Sequence, residues 1–160
     1  MLITTKINAS ELYEFTIKHN YRTIAGILGV IFSLGSAVGG FIFWEKLTVP
    51  NRVLVILFAL MFTVIEPIGC YIKVRKQIKK NFKYPISYNF SNDGIEISIN
   101  EQKAVCNWYE VMKIESTANI ITIYTSPIRA FIIPKKDVGE NMEELKELIE
   151  RNAECRKVVL

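Results

Sequence analysis

Histidine is nearly absent from this chain. His19 stands alone among 160 residues, so a histidine-centred triad or a multi-histidine metal site has a single candidate member. Cysteine is also sparse. Cys70, Cys106 and Cys155 are scattered, with no CxxC pair and no histidine beside them, which removes zinc-ribbon and redox-motif readings. No Gly-rich GxxxxGK phosphate loop, HExxH helix or Asp-rich calcium loop is present. Catalytic, metal-binding and cofactor-binding residues are therefore expected to be none. Charge of either sign is in slight supply: 20 Lys and Arg against 16 Asp and Glu is too mild for a nucleic-acid binder.

Charge is above all missing from one region. Between residues 24 and 72 the only charged side chains are Glu45, Lys46, Arg52 and Glu66. Ile24 to Trp44 holds no charge at all, and as a helix it would reach ~31 Å, the thickness of a bilayer core. Val53 to Ile72 is a second apolar run of that length, with Glu66 as its one charged residue. The expected architecture is α+β: a transmembrane hairpin in 23–72 (spans 24–44 and 53–72), joined to a small antiparallel β-barrel or sandwich. A soluble protein with two buried helices is the alternative, but core helices of this length normally show a polar face. The late start and length of the first run argue against a secretory signal peptide.

Cations set the expected orientation. Lys73, Arg75, Lys76, Lys79, Lys80 and Lys83 crowd the exit of the second span, whereas the connecting loop carries only Lys46 and Arg52. The positive-inside rule then places both termini in the cytoplasm of a multi-pass cell-membrane protein. Within the basic juxtamembrane linker, 73–83, Lys73, Arg75, Lys76, Lys79 and Lys80 can also contact anionic headgroups, making membrane lipids a partner; a bare topology signal is the alternative.

Small residues pattern the first span. Gly26, Gly29, Ser33, Ser36 and Gly40 recur at spacings of 3, 4, 3 and 4, a helix-packing seam. Gly35 and Gly39 add a GxxxG match on a neighbouring face. The seam serves packing within the chain or a homo-oligomer. In the second span Glu66 precedes Pro67. A carboxylate near a bilayer centre costs on the order of 2.5–3.5 kcal/mol, and Pro67 is expected to kink the helix. Glu66 is either a proton-sensing or ligand-facing group, or a tolerated residue bonded to Ser33, Ser36 or another chain. Cys70 at the membrane edge is either inert or open to S-acylation.

Residues 1–22 read as a strand over 2–8 and a helix, Glu11 to His19, capped by Ser10, with Leu12, Phe15 and His19 on one stripe. The strand either lies along the membrane or joins the C-terminal sheet. From residue 84 to 160 the pattern changes to short β-branched and aromatic runs at 85–90, 94–99, 103–108, 111–116, 120–125 and 130–133. Asn92-Asp93-Gly94 can supply φ > 0 residues for a tight hairpin. A terminal helix follows, with Asn141 as N-cap, Glu144 as capping-box partner and Met142, Leu145, Leu148, Ile149 and Asn152 facing inward. Trp108 is either a packing residue or a recognition anchor.

Six strands and a terminal helix resemble a pleckstrin-homology-like barrel lacking one strand, which residues 2–8 could supply. The elements Tyr88-x-Phe90, Asp93-Gly94-Ile95, Trp108-x-x-Val111, Ile114-Glu115 and Ile132-Ile133-Pro134-Lys135, then the Leu145–Ile149 helix, resemble the YcxB-like family of bacterial membrane proteins. That resemblance implies a cytoplasmic pleckstrin-homology-like domain on a two-helix anchor, and it implies no catalytic residues. Phosphoinositide recognition in such folds uses basic residues at the first hairpin, where Ser91-Asn92-Asp93 is neutral to acidic. The expected function is a membrane-anchored, non-catalytic interaction or regulatory module with a protein partner. The alternative is an oligomeric transport or proton-sensing element built on Glu66.

Overall fold

The computed structural model describes residues 1–127, 129–153 and 158–159; Cys155 lies outside them. The chain divides into two compact units, Thr16–Lys76 and a second one made of Met1–Phe15 with Gln77–Leu160.

The first unit is helical. Helix α1 (Ala9–Arg22) ends in it, and α2 (Ile24–Ile42) and α3 (Val49–Leu60) follow, joined by a 3₁₀ turn at Trp44–Lys46. Thr23 caps α2 by accepting from the Gly26 N–H at 3.1 Å, and Pro50 stands in the first turn of α3, where a missing N–H costs nothing. After α3 the chain makes a π-helical turn, Met61–Ile65, and continues as α4 (Glu66–Asn81). Pro67 explains the widened turn. Its ring clashes with the carbonyl four residues back and it cannot donate a hydrogen bond, so the helix opens just before it. The basic residues 73–80 are helical too, since no Gly or Pro interrupts them before Pro85.

The second unit holds two four-stranded sheets. One has the order β1 (Leu2–Thr5), β2 (Ile86–Phe90), β3 (Gly94–Ile99), β4 (Gln102–Asn107), all antiparallel. The other runs β7 (Arg129–Pro134), β6 (Ile120–Ser126), β5 (Lys113–Ser116), β8 (Val158–Val159), with β8 parallel to β5. Residues 2–5 thus join the sheet, pairing Thr5 with Ile86 and Leu2 with Asn89.

Alternation decides the core. Ile3, Ile86, Tyr88, Phe90, Ile95 and Ile97 are buried from the first sheet, and Ile114, Ile121, Ile123 and Ile133 from the second. The Tyr88 and Phe131 rings meet at 6.1 Å, so these faces pack on each other. The opposite face of β6 is buried as well. There Phe15 of α1 lies 6.2 Å from the Tyr124 ring, and Lys113 sits 4.2 Å above the same ring. Between β7 and β8 come a short α5 (Lys135–Val138) and α6 (Met142–Asn152), whose Leu145 and Ile149 are fully buried.

Several expectations need correction. The sheets do not close into a barrel. At Asn107 the backbone N–H donates to Glu110 Oε2 at 2.7 Å instead of a strand ladder, and the capped turn Trp108–Glu110 carries the chain from one sheet to the other. Helix α1 starts at Ala9 and is capped by Asn8, not Ser10. Asn8 Oδ1 accepts from the Glu11 N–H at 3.0 Å while Glu11 Oε2 accepts from the Asn8 N–H at 2.8 Å, a reciprocal capping box. Asn141 makes no side-chain cap bond to α6; a 3₁₀ turn, Gly139–Asn141, precedes that helix instead. The Asn92-Asp93-Gly94 turn uses no positive φ. Ser91 organises it, its Oγ accepting from the Gly94 N–H, and Gly94 is required because a Cβ there would lie 2.6 Å from the Cys106 carbonyl oxygen. The positive φ falls at Asn100, in the β3–β4 hairpin.

Candidate functional site

Helices α2 and α3–α4 are long and apolar enough to cross a membrane. Their apolar side chains point outward: Ile24 is 78% exposed, Phe41 87% and Val49 71%. A core helix of a water-soluble unit would hide these groups.

The small-residue seam meets different neighbours along its length. A Cβ on Gly29 would run into the Phe62 ring and one on Gly40 into Val55, so both glycines let α3 and the π-helical turn approach α2. Ser33 is fully buried and donates to the Ala59 carbonyl at 2.5 Å, where Thr63 Oγ1 also donates at 2.8 Å. Gly26 instead packs against the Asn20 carbonyl, just before α2. Ser36 is half-buried, and the Gly35 and Gly39 positions are open.

Glu66 begins α4 immediately after the π-helical turn. Its side chain is half-buried and lines a cavity of about 290 Å³ with Asn20, Tyr21, Thr23, Ala25, Gly26 and Phe62. The Tyr21 hydroxyl donates to the Phe62 carbonyl, a backbone group inside the widened turn. Ser33 is committed to Ala59, so it does not serve Glu66. A carboxylate, a phenol and a π-turn carbonyl around one cavity can hold a proton or a small cationic group. The sequence pointed to Glu66 and Pro67; it could not reveal that Tyr21 and Asn20 would face them.

The basic residues Lys73, Arg75, Lys76, Lys79 and Lys80 are all exposed. At 100° per residue they occupy an arc of about 160° on α4, opposite the buried Cys70 and Val74. Cys70 is 2% exposed, which fits the inert reading and not an acylation site.

In the β-unit the polar features are structural. Trp108 is buried, its Nε1 donating to the Ser91 carbonyl at 2.9 Å, so it is a packing residue. Glu11 is buried beside Lys136 Nζ at 2.7 Å, and Asn119 Nδ2 donates to Glu14 at 2.8 Å. Burial pushes the Cys106 thiol up, with Glu110 adding to it, and burial also raises the Tyr88 phenol. Among the described residues no His, Cys, Asp or Glu cluster could hold a metal ion. What the unit leaves open is the edge of β4. Gln102 to Val105 are exposed on both faces, and Val105 (68% exposed) and Tyr109 (80%) present apolar surface there.

Residues 90–149, the end of β2 through most of α6, match the model of the YcxB-like protein family. The uncharacterized protein YcxB of Bacillus subtilis (strain 168) is 30% identical over 112 residues, covering 68% of this chain. The aligned stretch is 60% of that relative's own length. No solved structure matches the chain.

Proposed function

The chain belongs to the YcxB-like family, and from that premise we propose that it is a membrane-anchored, non-catalytic interaction or regulatory module. In this reading the helical hairpin spans the cell membrane with both termini in the cytoplasm, and the two-sheet unit is a pleckstrin-homology-like domain at its inner face. One observation carries the reading: apolar helices with outward-facing side chains accompany a separate β-unit in which the Asn8–Glu11 and Asn107–Glu110 pairs serve as caps. The one-sided basic arc on α4 supports the orientation, because cations gather on the cytoplasmic side of a span and meet anionic headgroups there. The edge of β4 is the docking surface, since a strand paired on one side only offers main-chain donors and acceptors to an extended segment of a protein partner.

The test is recovery of the tagged full-length protein from membranes in mild detergent, followed by mass spectrometry and mass determination of the complex. A stoichiometric foreign protein that is lost with Val105→Asp supports the module. A self-associated oligomer with no foreign protein refutes it.

A second reading rests on Glu66, whose carboxylate makes no hydrogen bond among the described residues yet lines the cavity at the π-helical turn. There the chain is an oligomeric transport or proton-sensing element. Proton flux into vesicles carrying the wild type that disappears with Glu66→Gln supports it, and equal flux for both, or none for the wild type, removes it.

A further inference from the structure

At the loop end of the helix pair, away from Glu66, lies a groove of about 730 Å³. Ala37, Gly40 and Phe41 of α2 form one wall and Val55, Ile56 and Ala59 of α3 the other, while Trp44, Glu45 and Lys46 close the end. Side-chain size creates it. Gly40 brings the helices together at Val55, but the methyl groups of Ala37 and Ala59 are too short to fill the flank beside that contact. A groove of this volume is within the range of small-molecule sites, and its apolar walls give water few hydrogen-bond partners.

The closed end is charged. The Arg52 guanidinium lies 5.1 Å from the centre of the Trp44 ring, and its Nε donates to the Leu47 carbonyl at 3.1 Å, which fixes its position beside the groove. Its terminal nitrogens keep further donors. Lys46 Nζ stands 6.0 Å from the Phe43 ring centre. Glu45, Lys46 and Arg52 form no ion pair among the described residues. The apolar groove therefore ends in one cation and one carboxylate, Lys46 and Glu45, with a second cation, Arg52, held on the ring of Trp44 that lines it; among the described residues none of the three has a charged partner.

We infer that this groove holds one glycerophospholipid whose head carries both a phosphate and a primary ammonium, a phosphatidylethanolamine. An acyl chain lies between Ala37 and Ala59. The phosphate takes Lys46 and Arg52, for which a planar guanidinium is well suited, and the ammonium takes Glu45. Complementarity selects this head over its neighbours. A head that is only anionic sets Glu45 against like charge, and a quaternary choline has no N–H to give a carboxylate. The inference rests on the membrane reading above and adds a lipid site at the end opposite the α4 cations.

The experiment reconstitutes the full-length protein into vesicles of phosphatidylethanolamine, phosphatidylglycerol and phosphatidylcholine in equal parts. The vesicles are washed with alkaline carbonate, extracted in mild detergent, and retained lipid is counted by native mass spectrometry. One phosphatidylethanolamine per chain is expected, enriched over the other two. Ala37→Phe, which fills the groove without touching the Gly40–Val55 contact, should lower retention about tenfold. Glu45→Gln, on the exposed turn, should keep a bound lipid but lose the preference for phosphatidylethanolamine over phosphatidylglycerol. Equal retention of the three lipids by the wild type overturns the headgroup assignment, and retention unchanged by Ala37→Phe overturns the groove. A chain stripped off by carbonate refutes the membrane reading and the site with it, whereas a chain that stays but holds no lipid refutes the site alone.

Discussion

Replacing Glu11 by alanine removes a group that serves two distant segments at once. Its carboxylate accepts from the Asn8 backbone N–H at 2.8 Å and from Asn8 Nδ2 at 3.0 Å, and it pairs with Lys136 Nζ at 2.7 Å. The side chain is 7% exposed, so water cannot replace these partners freely. Loss of the cap costs about 0.5–2 kcal/mol and loss of a hydrogen bond to a charged acceptor about 1.5–3 kcal/mol. The ion pair adds at most ~1 kcal/mol, because Lys136 is half in solvent. Together the expected loss is about 2–4 kcal/mol, since the first two figures describe overlapping contacts. Glu11→Gln keeps the capping geometry, which glutamine also satisfies, and loses only the charge, about 1 kcal/mol. At roughly 2–4 °C per kcal/mol, thermal unfolding of the full-length protein in detergent should fall by about 4–16 °C for alanine and about 2–4 °C for glutamine. The pH dependence has a definite sign. The hydrogen bond to Glu11 raises the Lys136 ammonium, so the pair's contribution is complete below the unfolded lysine value of about 10.4 and is lost as pH rises through the higher folded value. The alanine deficit should therefore be equal at pH 6 and pH 8. A fall of under 2 °C for alanine, or equal falls for the two variants, would refute the capping argument.

Gly29→Leu should destabilise the helix pair by about 1–3 kcal/mol through collision with Phe62, whereas Gly35→Leu, at an open position, should leave the melting temperature unchanged; melting curves in detergent compare them. Gly94→Ala forces a methyl to 2.6 Å from the Cys106 carbonyl oxygen and should lower stability by ~1–3 kcal/mol, read in the same assay. Because burial raises the Cys106 thiol, its alkylation in the folded protein should stay slow at pH 8 and recover to an ordinary rate in denaturant; fast native labelling would contradict its burial. Trp108→Phe keeps the ring stacked near Phe90 but leaves the Ser91 carbonyl without its donor, an expected loss of about 1 kcal/mol by thermal unfolding.

Much of this protein is a local property of its sequence. The charge-free run at Ile24–Ile42 and the apolar run that follows Arg52 become helices despite their glycines and β-branched residues, because long apolar runs without a polar face satisfy their backbone groups internally only as helices. Period-two alternation in Ile86–Phe90 and the i, i+4 pair Leu145 and Ile149 likewise mark the faces that end up buried. These are regularities within one window of chain, and one window suffices to read them. Glu66 and Pro67 were legible for the same reason, as a charge and a helix breaker in an apolar run.

The tertiary structure alone decided the rest, because it depends on residues far apart in the chain. The Met1 ammonium donates to the Phe90 carbonyl at 2.8 Å across 89 residues, anchoring β1 in a register that no local pattern specifies. That the strands split into two sheets is a matter of topology, with the Asn107–Glu110 capping box fixing the turn between them. Glu11 stands in the first turn of α1, and nothing near it in sequence indicates that Lys136 is brought to it from 125 residues away. The cavity at Glu66 needed Tyr21 to reach the Phe62 carbonyl, and the groove at Lys46 needed Gly40 to meet Val55. Sequence periodicity says which face a residue takes; only packing says which distant residue waits there.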